Sequence, residues 1–286
     1  MPFKLTIVCV LMCLTLIMKA SVSVNLLPDS IRRRLFQKHD YPVSDNEFAR
    51  RIDSESRKKL ERMVVKYLED ASMPGAALAV ERDGEVLYAN GFGWADEENA
   101  THYRNKFRIA SVSKPITLFC FLSWIEDGWL GLEEKVFSDS LLGRFLSPNF
   151  TDTTGRVHKV TVRHLLTHSS GFPEGDIQEH QEMSNAEYLR WAVEAFAPLQ
   201  IEPDTRYIYC NFGFFLLGRI VEVLTARPYA DFIQQSVFYL MEVKGAIISG
   251  NLPGDRAPDE VVYYGYNTSN MAPYTLNLQR LDSAGG

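Results

Sequence analysis

The sequence predicts an α/β chain of the α+β type, in which an antiparallel sheet is flanked by helices and joined to an all-helical subdomain. Three observations lead there. A charged amphipathic segment comes first, two β-favouring runs follow around Asp83-Gly84, and beyond residue 110 the apolar pattern is helical almost throughout. Runs joined by a tight turn pair antiparallel, and segregated strands and helices mark this class.

Residues 53–71 set Leu60, Met63, Val64, Tyr67 and Leu68 at helical spacing among charges, which predicts an amphipathic helix covering a sheet. The stretch GAALAVERDGEVLYANGFG, residues 75–93, follows with Asp83-Gly84 at its centre. That pair suits the positive backbone angles of a two-residue hairpin turn. Residues 111–128 are apolar nearly all round, with Ile116, Leu118, Phe119, Phe121, Leu122, Trp124 and Ile125, so a helix buried in the core is expected. Pro115 confines its start to the first turn, and Gly128 offers a stop. Further helices are expected at 161–168, 184–196, 211–225 and from 228 to about 243, the second opened by the capping box of Ser184 and Glu187. After Pro253 the pattern turns loop-like and the sequence closes on LDSAGG. A lone two-stranded sheet is marginal, so the expectation is a chain whose C-terminal sheet strands and last helix are missing.

At roughly 100 to 200 residues per domain, 286 residues allow one large or two small domains. Composition is 46% hydrophobic and 23% charged, enough for a sizeable core. Thirty Lys and Arg against 36 Asp and Glu give a net charge of -6, which is no footprint for nucleic acid. Residues 1–23 read as a signal peptide: Lys4, an apolar run from Thr6 to Met18, then the small residues of KASVS. The run is short for a membrane span, so cleavage and secretion to the extracellular space are expected in preference to an N-terminal anchor, with no stable span afterwards. Residues 24–52 would be an N-terminal extension and 53–286 the domain proper. Cleavage removes Cys9 and Cys13 and leaves Cys120 and Cys210, too few for a disulfide framework although one bridge stays open. Sequons at Asn99, Asn149 and Asn267 fit a secreted glycoprotein.

The chemistry centres on Ser111 and Lys114 in FRIASVSK. A serine hydroxyl becomes a nucleophile when a base takes its proton. Residues three apart on a helix share a face, and apolar surroundings favour the neutral amine that could serve. The helix N-terminus also favours a developing oxyanion. The competing reading is a capping serine with a solvated lysine. Ser56 and Lys59 match the same spacing on a charged helix face and are read as surface. His164 and His168 lie four apart, a metal-site spacing, but no Glu follows His164 as zinc proteases require, so no metal is expected.

FRIASVSK, HLLTHSSGF at residues 164–172 and YCNFGFFLLGRIVEVLTA at residues 209–226 together resemble the serine β-lactamase-related family. That group includes class C β-lactamases, penicillin-binding proteins, esterases and animal β-lactamase-like proteins, and Ser-x-x-Lys is one of its signatures. The resemblance covers roughly residues 71–286 and implies a β-lactamase/transpeptidase-like fold. It makes Ser111 the acylated nucleophile, Lys114 the base or proton relay, Tyr209 the phenol of a Tyr-x-Asn motif, and Asn211 the amide that holds the lysine and the substrate. A cation close to a phenol favours its phenolate, so Lys114 and Tyr209 could share the base's duty. Cys210 between them is expected to point away and pack. Tyr88-Ala89-Asn90 and Ser44-Asp45-Asn46 mimic family motifs in the wrong order and are read as coincidences. The third family motif, Lys-Thr-Gly or His-x-Gly on a strand lining the pocket, is not found in this sequence, and with it goes an oxyanion-hole donor worth about 100- to 1000-fold in rate. The resemblance implies a small-molecule or peptide substrate, acyl-enzyme chemistry and no cofactor. The alternative is a catalytically inactive binding or scaffolding protein on the same fold. The sequence assigns no oligomeric state.

Overall fold

A carboxylate starts the first helix, α1 (Ser54–Ala71): Asp53 Oδ1 accepts the backbone N–H of Glu55 at 3.0 Å and of Ser56 at 2.9 Å. The computed structural model describes residues 41–71, 73–174, 183–248 and 256–263. The expected signal peptide, the Asn267 sequon and the sequence end lie outside these residues. The described chain divides into two units, one of residues 41–108 with 256–263 and one of residues 109–248, each with its own core.

In the first unit, α1 buries Val64 and Leu68 and turns Ser56 and Lys59 outward, so that look-alike pair is solvent surface. β1 (Gly75–Arg82) and β2 (Glu85–Gly93) form the expected antiparallel hairpin. Asp83 at φ 55° and Gly84 at φ 82° make its turn, the conformation that matches the twist of the strands. A register shift falls between Val80 and Glu81. Leu78, Tyr88 and Phe92 meet Val64, Leu68 and Ala49 in the core.

The chain before α1 lies along β2. Ser44 N–H donates to Gly91 O at 3.2 Å, and Gly93 N–H donates to Pro42 O at 2.8 Å. The two look-alike motifs meet here, because the fully buried Asn90 Oδ1 accepts from Ser44 Oγ and from Asn46 Nδ2 at 2.9 Å. Their work is to fasten this segment to the hairpin. Gly91 permits a close approach on the other side, where a Cβ would stand 2.1 Å from Thr101 O. Backbone cannot retreat as a side chain can. Gly91→Ala is therefore expected to cost about 1–3 kcal/mol, read as a lowered urea midpoint; an unchanged midpoint would contradict this packing.

The second unit is helical. A 3₁₀ turn (Ala110–Ser113) leads into α2 (Lys114–Glu126), with Pro115 in the first turn. α3 (Val162–Leu166), α4 (Asn185–Phe196), α5 (Asn211–Thr225) and α6 (Tyr229–Phe232) follow, and α6 runs on into a π-helical stretch, Ile233–Phe238. The Ser184–Glu187 capping box forms as expected. The centre of the core is α5, whose residues from Phe212 to Val221 are all buried.

The expectation that α2 is buried all round is corrected. Thr117, Cys120 and Phe121 face inward, but Phe119 and Leu122 are 47% and 51% exposed. An apolar pattern with no polar face carries no phase, so it cannot tell a core helix from one with an apolar outer face. α3 is also shorter than expected, because His168 takes a left-handed conformation at φ 56° and ends it. Cys120 and Cys210 are both buried, and burial pushes the Cys120 thiol up to about 12.

Candidate active site

All four expected catalytic residues belong to the second unit and converge. Ala110, directly before Ser111, holds φ at 43°, a left-handed conformation costing a non-glycine residue of order 1–3 kcal/mol. Ser111 is exposed and sits in the 3₁₀ turn, while Lys114 is the first residue of α2. In a 3₁₀ turn positions i and i+3 eclipse, which brings Lys114 Nζ to 3.1 Å from Ser111 Oγ.

The capping alternative does not describe this serine. The N-cap position of α2 belongs to Ser113, and no side-chain capping bond forms there. Ser111 Oγ instead accepts from Lys114 Nζ and from the Tyr209 hydroxyl, the latter at 2.7 Å. Lys114 is 6% exposed and far from the solvated residue of the capping alternative. Its ammonium also donates to Asn211 Oδ1 at 2.8 Å, and it lies 5.0 Å from the ring centre of Tyr209 and 5.4 Å from that of Phe214.

Tyr209 and Asn211 reach the same place because the chain enters α5 extended. Cys210 is the N-cap at φ -140°, ψ 112°, and extended backbone sends alternate side chains to opposite sides. Cys210 accordingly points into the core at 1% exposure, as expected. Charge developing on the Tyr209 oxygen would sit beside the Lys114 cation. Ser111 is thus held between two groups able to exchange a proton with it.

The sequence reading undervalued one residue. His168 is half-buried against Tyr209, with ring centres 4.6 Å apart, and its Nδ1 accepts the Cys210 N–H at 3.1 Å. Burial and then the Lys114 cation push its basicity below the usual imidazole range. The signal lies in HLLTHSSGF, whose two histidines the sequence marks only by a metal-like spacing. His164 has a structural place, its Nδ1 accepting the Thr161 N–H at 3.1 Å in a capping box on α3. Among the described residues no group of three or more His, Cys, Asp or Glu is placed to hold a metal ion. Of the sequons, Asn99 and Asn149 are exposed, and Asn99 Nδ2 donates to Asp96 at 3.0 Å.

Comparison with known proteins gives this geometry its setting. A family model described as Beta-lactamase matches residues 60–280. A penicillin-binding protein of Bacillus subtilis (strain 168) is 32% identical over 190 residues, which is 64% of this chain and 39% of that protein. The chain therefore spans about two fifths of the length of that curated relative. A class C β-lactamase structure superposes with a TM-score of 0.65 at 21% identity, covering 82% of this chain and 60% of the other. The octameric penicillin-binding protein homologue from Pyrococcus abyssi superposes at 0.60 with 23% identity, covering 79% and 52%. At such identities the structures speak for the fold, and the match across residues 60–280 speaks for descent. The chain belongs to the β-lactamase family.

Proposed function

We propose that this chain is an exported serine hydrolase that works through an ester on Ser111, with small amides, peptides or esters as substrates and β-lactams as one option. The observation that carries the reading is Ser111 Oγ held at 2.7 Å from the Tyr209 hydroxyl and 3.1 Å from Lys114 Nζ, with Lys114 fixed by Asn211. In this arrangement both neighbours donate to Ser111. Attack requires one of them to have given up its proton and to accept that of the serine. A bond then forms from Oγ to the carbonyl carbon, the carbon–nitrogen or carbon–oxygen bond of the substrate breaks, and Tyr209 or Lys114 returns the proton to the leaving atom. Water reverses the sequence and frees the acid. Export rests on Lys4, the apolar run after it and the small residues at 20–23.

A fluorophosphonate probe tests both parts on protein recovered from the medium of expressing animal cells. After enzymatic removal of N-linked glycans, the expected mass is that of a chain beginning near residue 24 plus one probe less hydrogen fluoride, with no adduct on Ser111→Ala. Absence of the protein from the medium would remove the export reading. A folded chain that takes no adduct, or an adduct that survives Ser111→Ala, would remove the hydrolase reading and favour the binding protein.

A further inference from the structure

His168 occupies a position that ordinarily calls for glycine. It follows the C-cap of α3, where Ser169 N–H donates to His164 O at 2.9 Å and His168 N–H donates to Leu165 O at 3.3 Å. This is the six-to-one and five-to-two pairing that closes a helix around a left-handed residue, a place glycine fills most cheaply and asparagine next. A histidine at φ 56° is strained there.

Its contacts show what the strain accompanies. The His168 carbonyl accepts the Ile208 N–H at 2.7 Å, and its imidazole Nδ1 accepts the Cys210 N–H at 3.1 Å. One residue therefore grips the backbone on both sides of Tyr209. The ring lies 4.6 Å from that of Tyr209 at a 33° tilt and 5.2 Å from that of Phe214, with Tyr207 edge-on at 5.7 Å.

We propose that His168 is a positioning residue for Tyr209: its neutral imidazole pins the Cys210 amide and backs the phenol ring, holding the hydroxyl on Ser111. The proposal rests on the serine-acylation reading. Nδ1 can accept only while unprotonated, so the ring's proton belongs on Nε2. The charge acting on it is that of Lys114 from α2, and the titratable groups facing it are Tyr207 and Tyr209 from the segment entering α5, whose Cys210 meets the ring through its backbone amide. His164, on the preceding helix, has its basicity lowered first by burial and feels Asp204, Glu133, Lys135 and Arg163 instead of Lys114. With its basicity lowered by burial and the Lys114 cation, His168 is neutral at pH 7. As pH falls further it takes a proton, Nδ1 turns from acceptor to donor opposite another N–H, and the grip opens.

The test uses two variants that both suit a left-handed backbone. His168→Gly removes the ring and the acceptor; His168→Asn restores an acceptor that does not titrate. His168→Gly is expected to lower the fluorophosphonate acylation rate of Ser111 by about 10- to 100-fold, the scale of a small misplacement of a catalytic group, with probe affinity changed far less. His168→Asn is expected to recover most of that rate and to lose one inflection from the acid limb of the rate profile. Hydrogen exchange at the Cys210 amide reads the grip without any reaction: protected in the wild type until acid, protected throughout in His168→Asn, and unprotected in His168→Gly. Equal rates in all three proteins, equal losses in both variants, or an unprotected Cys210 amide in the wild type would overturn the proposal. Normal exchange behaviour in a wild type that takes no adduct would instead remove the serine-acylation reading and leave the grip standing.

Discussion

Lys114→Met is expected to slow acylation of Ser111 by about 1000-fold or more. Positioned proton transfer contributes roughly 10² to 10⁴ in rate, and this ammonium lies 3.1 Å from Ser111 Oγ and 2.8 Å from Asn211 Oδ1. Methionine is chosen because it fills the volume beside Tyr209 and Phe214 without an amine, and replacing a buried charge by an apolar side chain of similar size is often tolerated. Time-resolved fluorophosphonate labelling reads the rate, with a thermal melt to confirm that the variant folds. A folded variant within tenfold of the wild type would show that Lys114 does not take part in the proton transfer.

Tyr209→Phe removes one oxygen and leaves the ring against His168 and Lys114. Its expected loss is about 10²-fold or more, because the donor 2.7 Å from Ser111 Oγ disappears while the stacking remains. The two substitutions should not add. Groups that act as one unit lose most of their effect at the first deletion, so the double variant should resemble the slower single variant. Losses that multiply would separate the roles of Lys114 and Tyr209. The comparison therefore tests the shared proton path as well as either residue.

The sequence made the hairpin and α5 legible for clear physical reasons. Asp83-Gly84 suits positive φ at both turn positions, and 211–225 is apolar apart from Asn211, Arg219, Glu222 and Thr225, long enough for a buried helix. It did not reveal which face of α2 is covered, because residues 116–125 have no polar side to set a phase. Ser111 with Lys114 was ambiguous on local grounds, since a capping serine and a nucleophilic serine look alike in one dimension. Tyr209 and Asn211, 98 and 97 positions from their partners, entered only through the resemblance. The structure gives the cap position to Ser113 and so removes the capping alternative for Ser111. His168 was passed over because its importance lies in a left-handed φ and an acceptor aimed at a distant amide, and neither leaves a periodic trace.

The most direct measurement is electrospray mass spectrometry of the chain quenched shortly after mixing with a penicillin, followed by peptide mapping. Ring opening by Ser111 expels no leaving group, so the adduct should weigh the whole reagent, sit on the peptide bearing Ser111, and be absent from Ser111→Ala. It should also form far more slowly in Lys114→Met. An adduct on another residue, or one that forms equally fast without the Lys114 amine, would contradict the acyl-enzyme assignment built on this geometry.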